Sequence, residues 1–212
     1  MGLSLKDIRE FMKNRNSETA ISTMKKQQEE IKNKIKHMKL IQKRLERKIE
    51  TLESFSKNEN KVEFISNTKN EYLAIEKIAS PKDLLNLDIA LKRLLNKAEI
   101  FSYPHYYQIG AMISTENLSH GKYLTADYAF IPLEANLVGV KTHKKAKGLY
   151  ARIYHNGNYS SIGKTYEKLL NEIKISGYKP NGYSYEYCIL DSLTSKESDD
   201  YVTEIQIPIE EI

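Results

Sequence analysis

The sequence has no tryptophan and a single cysteine, Cys188, so no disulfide can form within the chain. No apolar run approaches the ~20 residues that a membrane-spanning helix needs, and the first residues lack the apolar core of a secretion signal. These absences suit a reducing, cytoplasmic setting with no membrane partner. The five histidines, His37, His105, His120, His143 and His155, are scattered without cysteine partners. No metal-ligand spacing results, and neither a metal nor a cofactor is expected.

What is present is unevenly placed. The net charge is +5 over 212 residues, but residues 1–60 hold 15 of the 33 Lys/Arg and only 9 of the 28 Asp/Glu. The rest of the chain is close to neutral, so the basic character belongs to the N-terminal arm and does not mark the whole chain as a nucleic-acid binder. All 15 tyrosines follow residue 71.

Residues 4–14 read as a short helix with Leu5, Ile8, Phe11 and Met12 on one face. A second helix begins near Ser17, a good N-cap, and can run to about Phe55. Its heptad places Ile21, Gln28, Ile35, Gln42 and Ile49 at one seam position and Met24, Ile31, Met38, Leu45 and Leu52 at the other. Five heptads without Gly or Pro predict a coiled coil roughly 55 Å long. Lys25, Lys32 and Lys39 flank its first half, and Glu46 and Glu53 its second. Antiparallel pairing brings unlike halves together, so an antiparallel homodimer is expected.

Ser54–Lys61 is polar and reads as a linker, and beyond it the period changes from 3.6 to 2. Val62–Ser66 and Tyr72–Ile78 read as strands. A helix starts at Ser80-Pro81-Lys82-Asp83 and buries Leu84, Leu87, Leu91, Leu94 and Leu95. Tyr106–Ser114 and Tyr123–Leu133 read as strands, and Asn136–Lys147 as a solvated basic loop. Gly148–His155 is a strand. A helix follows from Ser160 or Ser161, and Gly177 closes it. Gly182–Asp191 and Tyr201–Pro208 are the last strands. The order strand, helix, strand, strand therefore occurs twice, which predicts an α+β fold: a duplicated β-α-β-β domain with a pseudo-twofold antiparallel sheet and helices on one face. In Tyr106–Ser114 both alternating sets are largely apolar or aromatic, so the other face is expected to form a lined cleft.

One stretch is odd. Glu186 stands between Tyr185 and Tyr187 in an otherwise apolar strand. A buried carboxylate costs several kcal/mol unless compensated. It is either an edge acid paired with a surface lysine or the charged centre of a ligand pocket.

The segments 148–153, 155–159, Gly177-Tyr178, Tyr185-Glu186-Tyr187 and Thr203-Glu204-Ile205-Gln206-Ile207-Pro208 resemble the gyrase-inhibitor-like effector-binding domain. Gly2–Phe11 resembles the last helix of a MerR-type DNA-binding domain, and the heptad helix resembles that family's dimerisation helix. The resemblance implies three parts: residues 1–16 as a remnant of the DNA-binding domain, 17–56 as the dimerisation helix and 57–212 as the effector-binding domain. It implies a multidrug-sensing transcription regulator and not an enzyme. Bulky lipophilic, often cationic compounds would bind against Glu186, with Tyr201, Cys188, Ile109, Tyr107 and Tyr128 around it. The facing of Tyr107 and Tyr128 depends on register. Ile109 stands where a relative has a tyrosine, which alters the ligand profile. The winged-helix domain expected before Gly2 is not in this sequence, so contact with promoter DNA is expected only through that domain. Two other readings stay open: a small-molecule hydrolase using Glu186 and Glu204, and a dimerisation or protein-inhibitor module without a small ligand.

Overall fold

Helix α1 (Ser17–Asn58) is one uninterrupted run of 42 residues. The computed structural model describes residues 8, 9, 12, 16–58, 60–79, 84–100, 108–133, 141–191 and 195–212. Of the expected helix over 4–14, Ile8, Arg9 and Met12 are described and helical; its other residues lie outside that set. The cap of α1 is Asn16, one residue earlier than Ser17: its Oδ1 accepts from the Thr19 amide at 2.7 Å. The seam residues Ile21, Met24, Ile31, Ile35, Met38, Leu45 and Ile49 are all exposed.

The chain divides into two compact units, Met1–Lys48 and Ile49–Ile212. The second takes in the last turns of α1, so it begins before the boundary at residue 57 read from the sequence. There Leu52 and Phe55 pack on the sheet, and the Phe55 ring meets Tyr154 edge-on at 5.6 Å.

The second unit contains strands β1 (Glu63–Asn67), β2 (Glu71–Lys77), β3 (Gly110–Ile113), β4 (Tyr128–Leu133), β5 (Thr142–Lys145), β6 (Gly148–Asn156), β7 (Tyr178–Pro180), β8 (Ser184–Leu190) and β9 (Val202–Glu211), with helices α2 (Leu84–Ile100), α3 (Thr115–Ser119) and α4 (Ile162–Ile175). The sheet order is β1-β6-β9-β8-β3-β4-β2-β5, with β7 paired to β9. The two repeats, β2-α2-β3-β4 and β6-α4-β8-β9, meet where β3 and β8 pair antiparallel. That centre gives the pseudo-twofold the duplication predicts.

Side chains alternate across the strands, and the two faces have different tasks. On one, Ala111, Ile113, Ile131, Ala151, Ile153, Ile205 and Ile207 pack under Ala90, Leu94, Ile162, Leu169 and Ile173 of α2 and α4. Each large aliphatic side chain buried there contributes roughly 1.5–3 kcal/mol. On the other face, which the last turns of α1 touch through Leu52 and Phe55, Phe130, Tyr150, Tyr154, Tyr185 and Tyr187 join Leu73, Ile75, Met112, Ile189 and Val202. A Cβ at Gly110 would overlap the Phe130 ring and the Glu186 carbonyl. Glycine there lets the ring lie flat against the sheet.

Three elements depart from expectation. Helix α3 is capped by Ser114, which accepts from the Asn117 amide; strand β4 therefore begins at Tyr128 and not at Tyr123. The short strand β7 follows Gly177 directly. The basic segment read as a solvated loop contains β5, which pairs with β2 through Glu71↔Lys145 and Leu73↔His143. Lys145 is only 2% exposed. The sheet curls enough for this edge strand to reach across the open face, and the Lys145 ammonium donates to the Tyr187 hydroxyl at 2.9 Å and to Gln206 Oε1 at 2.6 Å.

Candidate ligand-binding site

Glu186 is 2% exposed. It lies on β8 opposite Ala111 and Ile205, both members of the helix-covered core. The Tyr159 hydroxyl donates to its Oε2 at 2.6 Å, and the Tyr166 hydroxyl to its Oε1 at 2.8 Å. Tyr166, on α4, also reaches Ser184 Oγ at 2.8 Å. The Tyr123 ring stacks on Tyr166 at 5.1 Å. Burial pushes the Glu186 carboxyl up to about 7, against the two tyrosine hydrogen bonds that favour the ionised form. Burial and the Glu186 charge raise both tyrosine hydroxyls well above their ordinary range, so they remain donors.

This arrangement corrects the picture of Glu186 as the charged side of an open cleft. Its compensation comes from the protein, beneath α4. Cys188 shares its face, as period 2 requires, and lies near Tyr159. Ile109 packs against the same covered core and its carbonyl accepts from the Cys188 amide at 3.0 Å. Tyr201 precedes β9, and its carbonyl accepts from the Gly157 amide. Tyr128 is on the other face, edge-on to Tyr183 at 6.1 Å. Tyr107 lies outside the described residues. Of the described five, Glu186, Cys188 and Ile109 lie toward the covered core, and Tyr128 lies on the opposite face.

The open face holds a different constellation. Period 2 puts Tyr150, Arg152 and Tyr154 of β6, Tyr185 and Tyr187 of β8, and Glu204 and Gln206 of β9 on it. The register sets Tyr187 beside Glu204, Tyr185 beside Gln206, and Tyr154 beside Glu204. The Lys145 ammonium sits 5.0 Å from the centroid of the Tyr150 ring, 5.2 Å from Tyr185 and 5.0 Å from Tyr187. Glu71 Oε2 is 3.4 Å away. Burial lowers the Lys145 ammonium below its ordinary range, opposed by Glu71 and Glu204. Burial likewise raises the Glu204 carboxyl, opposed by Gln206, Arg152 and Lys145. Arg152 Nη2 donates to Glu63 Oε2 at 2.6 Å, and Nη1 stands 3.8 Å from Glu204. His143 Nε2 is 2.9 Å from the Tyr185 hydroxyl.

Chemically, this is a cation cage: aromatic faces worth roughly 0.5–2 kcal/mol each toward a cation, with a buried carboxylate behind them. Glu186 and Glu204 point to opposite sides of the sheet and cannot act on one bond, which removes the geometric basis for a paired-carboxylate hydrolase. Among the described residues no group of His, Cys, Asp or Glu is placed to hold a metal ion, and no helix is long and apolar enough to cross a membrane.

Sequence reasoning missed Lys145, Tyr150, Arg152 and Gln206 as site residues, and it named Glu204 only as a catalytic partner. The alternation itself carried the signal: an acid between two tyrosines on a strand faces away from both.

A curled antiparallel sheet with helices on one face and a caged charge on the other defines a small-molecule-binding domain of effector-sensing type. Residues 61–210 match the model of the GyrI-like small molecule binding domain, and the chain belongs to that family. The multidrug-efflux transporter 2 regulator of Bacillus subtilis (strain 168) is 22% identical over 217 residues, spanning 100% of this chain and 77% of the relative. Among solved structures, EcmrR in its complex with DNA shares the fold with a TM-score of 0.53 at 17% identity, covering 100% of this chain and 79% of that one. The EcmrR C-terminal domain gives 0.51 at 16% identity, covering 71% and 96%.

Proposed function

We propose that this chain is the ligand-sensing and dimerisation part of a transcription regulator working in the cytoplasm, and that it binds bulky lipophilic cations on the open sheet face. The observation that carries the ligand class is the ammonium of Lys145 buried among three tyrosine rings beside Glu204 and Glu71. That face already surrounds a positive charge that is 2% exposed. Large apolar cations suit it because ring faces and a recessed carboxylate ask for charge and bulk but little directional bonding.

The exposed heptad seam of α1 supports dimerisation with a second copy, antiparallel by its charge pattern. DNA reading is assigned to a separate DNA-binding domain. The reading is of a sensor.

Calorimetric titration with tetraphenylphosphonium tests the ligand class. Binding should be detectable at or below about 1 mM and should weaken in Glu204→Gln and Tyr187→Leu. Failure of a panel of lipophilic cations to bind, with the protein folded, would leave the plain dimerisation module as the better description.

A further inference from the structure

The cage described above is not vacant. Its centre is held by a side chain from the far edge of the same sheet. We infer that Lys145 is a tethered occupant of the cation site, and that an organic cation binds by expelling it, so that ligand affinity is set by competition with the protein's own ammonium. This rests on the open-face reading of ligand binding.

Four observations carry it. Lys145 is 2% exposed, unusual for a residue type that is almost never buried without a partner. Its ammonium contacts three rings at 5.0–5.2 Å, the contacts an aromatic cage would give a ligand cation. Its hydrogen-bond acceptors, Tyr187 and Gln206, lie on β8 and β9, four and five strands away in the sheet from β5. It is therefore a contact made by curling, not a neighbour imposed by strand pairing. Finally, β5 is four residues long, at the end of the sheet, and paired to β2. An edge strand so placed can shift without unzipping the centre.

The physical reason for such an occupant is the carboxylate. With the cage empty, Glu204, 4% exposed, would face low dielectric with less positive charge near it. Lys145 adds to what Gln206 and Arg152 supply there, until a cation of better shape arrives. Expulsion gives up the bonds to Tyr187 and Gln206 and the approach to Glu71, and releases β5 from the opposite side of the face. The ligand thus differs from the resident ion in one respect: it is not tied to β5. This gives a specific route from occupancy to a change of shape.

If Lys145 fills the cage in nine molecules of ten or more, apparent affinity is reduced about tenfold or more, and removing the competitor restores it. The experiment titrates tetraphenylphosphonium and its anionic counterpart of the same shape, tetraphenylborate, into wild type and Lys145→Met. Tighter phosphonium binding by Lys145→Met, about tenfold or more, with no gain for the borate, supports expulsion. Equal or weaker phosphonium binding overturns it. So does borate binding to wild type that Lys145→Met abolishes, because the ammonium would then stay as the ligand's partner. If neither protein binds either ion, the open-face reading fails and this inference falls with it.

Wild type supplies a check that no substitution can confound. Acylation of lysines read by mass spectrometry should find Lys145 protected in the free protein and reactive with phosphonium bound. Persistent protection in the bound form overturns expulsion.

Discussion

Replacing Glu186 by Gln separates a structural carboxylate from a ligand-binding one, and its effect is on pH dependence. In the folded protein burial holds this carboxyl at about 7, against an ordinary 4.5. The sign follows from which state holds the proton. Between these two values the folded state is protonated while the unfolded state has ionised, so the folded state binds more protons and stability falls as pH rises. The penalty is absent well below 4.5, grows through the window, and is complete above 7. At about 1.4 kcal/mol for each factor of ten, the full span is ~3 kcal/mol. The group is buried, so no discount for solvent screening applies. Glu204, also raised by burial, acts in the same direction. The quantity to measure is therefore the difference between wild type and Glu186→Gln, not the wild-type profile alone. Urea unfolding followed by circular dichroism at pH 5, 6, 7 and 8, at fixed protein concentration, gives that difference. The Gln variant should gain ~2–3 kcal/mol relative to wild type between pH 5 and pH 8. A difference that stays flat would refute the assignment of Glu186 to a sealed, desolvated position.

The same variant should bind tetraphenylphosphonium within about twofold of wild type, since the two sites lie on opposite faces of the sheet; titration checks it. Tyr166→Phe removes the donor to Glu186 and the contact with Ser184, and should cost about 1–3 kcal/mol in urea unfolding. Gly110→Ala puts a methyl group into the Phe130 ring and the Glu186 carbonyl, and should destabilise by at least ~1–3 kcal/mol, read as a lowered unfolding midpoint. Ile35→Asp in the exposed seam of α1 should shift sedimentation towards monomer while leaving the circular dichroism of the sheet unit unchanged.

Much of the fold was legible because it rests on periodicity. The heptad from Ile21 to Leu52 and the twofold recurrence of strand, helix, strand, strand depend on residues whose neighbours are close in sequence. Strand β5 was not legible for the opposite reason. Thr142-His143-Lys144-Lys145 has no apolar alternation, and His143 and Lys145 face inward only because the sheet curls and brings Tyr185, Tyr187 and Gln206 to them. Lysine in a basic run predicts solvent; a partner supplied from forty or more positions away reverses that. Glu186 was recognised as anomalous for a sound reason, the cost of burying a carboxylate, but its partners were sought in a ligand. Tyr159 and Tyr166 stand 27 and 20 residues before it, on the turn and helix that cover it. Local pattern cannot show which tyrosines fold back onto an acid.

The two buried acids of the sheet show how position decides role. Glu186 has its hydrogen bonds met by hydroxyls held by the turn at Tyr159 and by α4, and at about 7 its carboxyl shifts toward the neutral form as pH falls. Neither feature invites an ion from outside. Glu204 is offset instead by the Gln206 amide, which donates to it at 2.5 Å, and by two cations: Arg152, which is shared, and Lys145, which belongs to an edge strand. The Arg152 guanidinium stands 3.8 Å from Glu204, donates to Glu63 at 2.6 Å, and reaches Ser54 Oγ of α1 at 3.3 Å. Tyr154 touches Ser54 as well, at 3.2 Å. Glu204 is therefore one side chain away from the last turns of the helix that carries the heptad seam. A change of charge beside Glu204 alters the field at Arg152 directly, while one at Glu186 is enclosed by α4 and its own donors. The open face is thus the side of the sheet on which Glu204 and the last turns of α1 share a partner, Arg152.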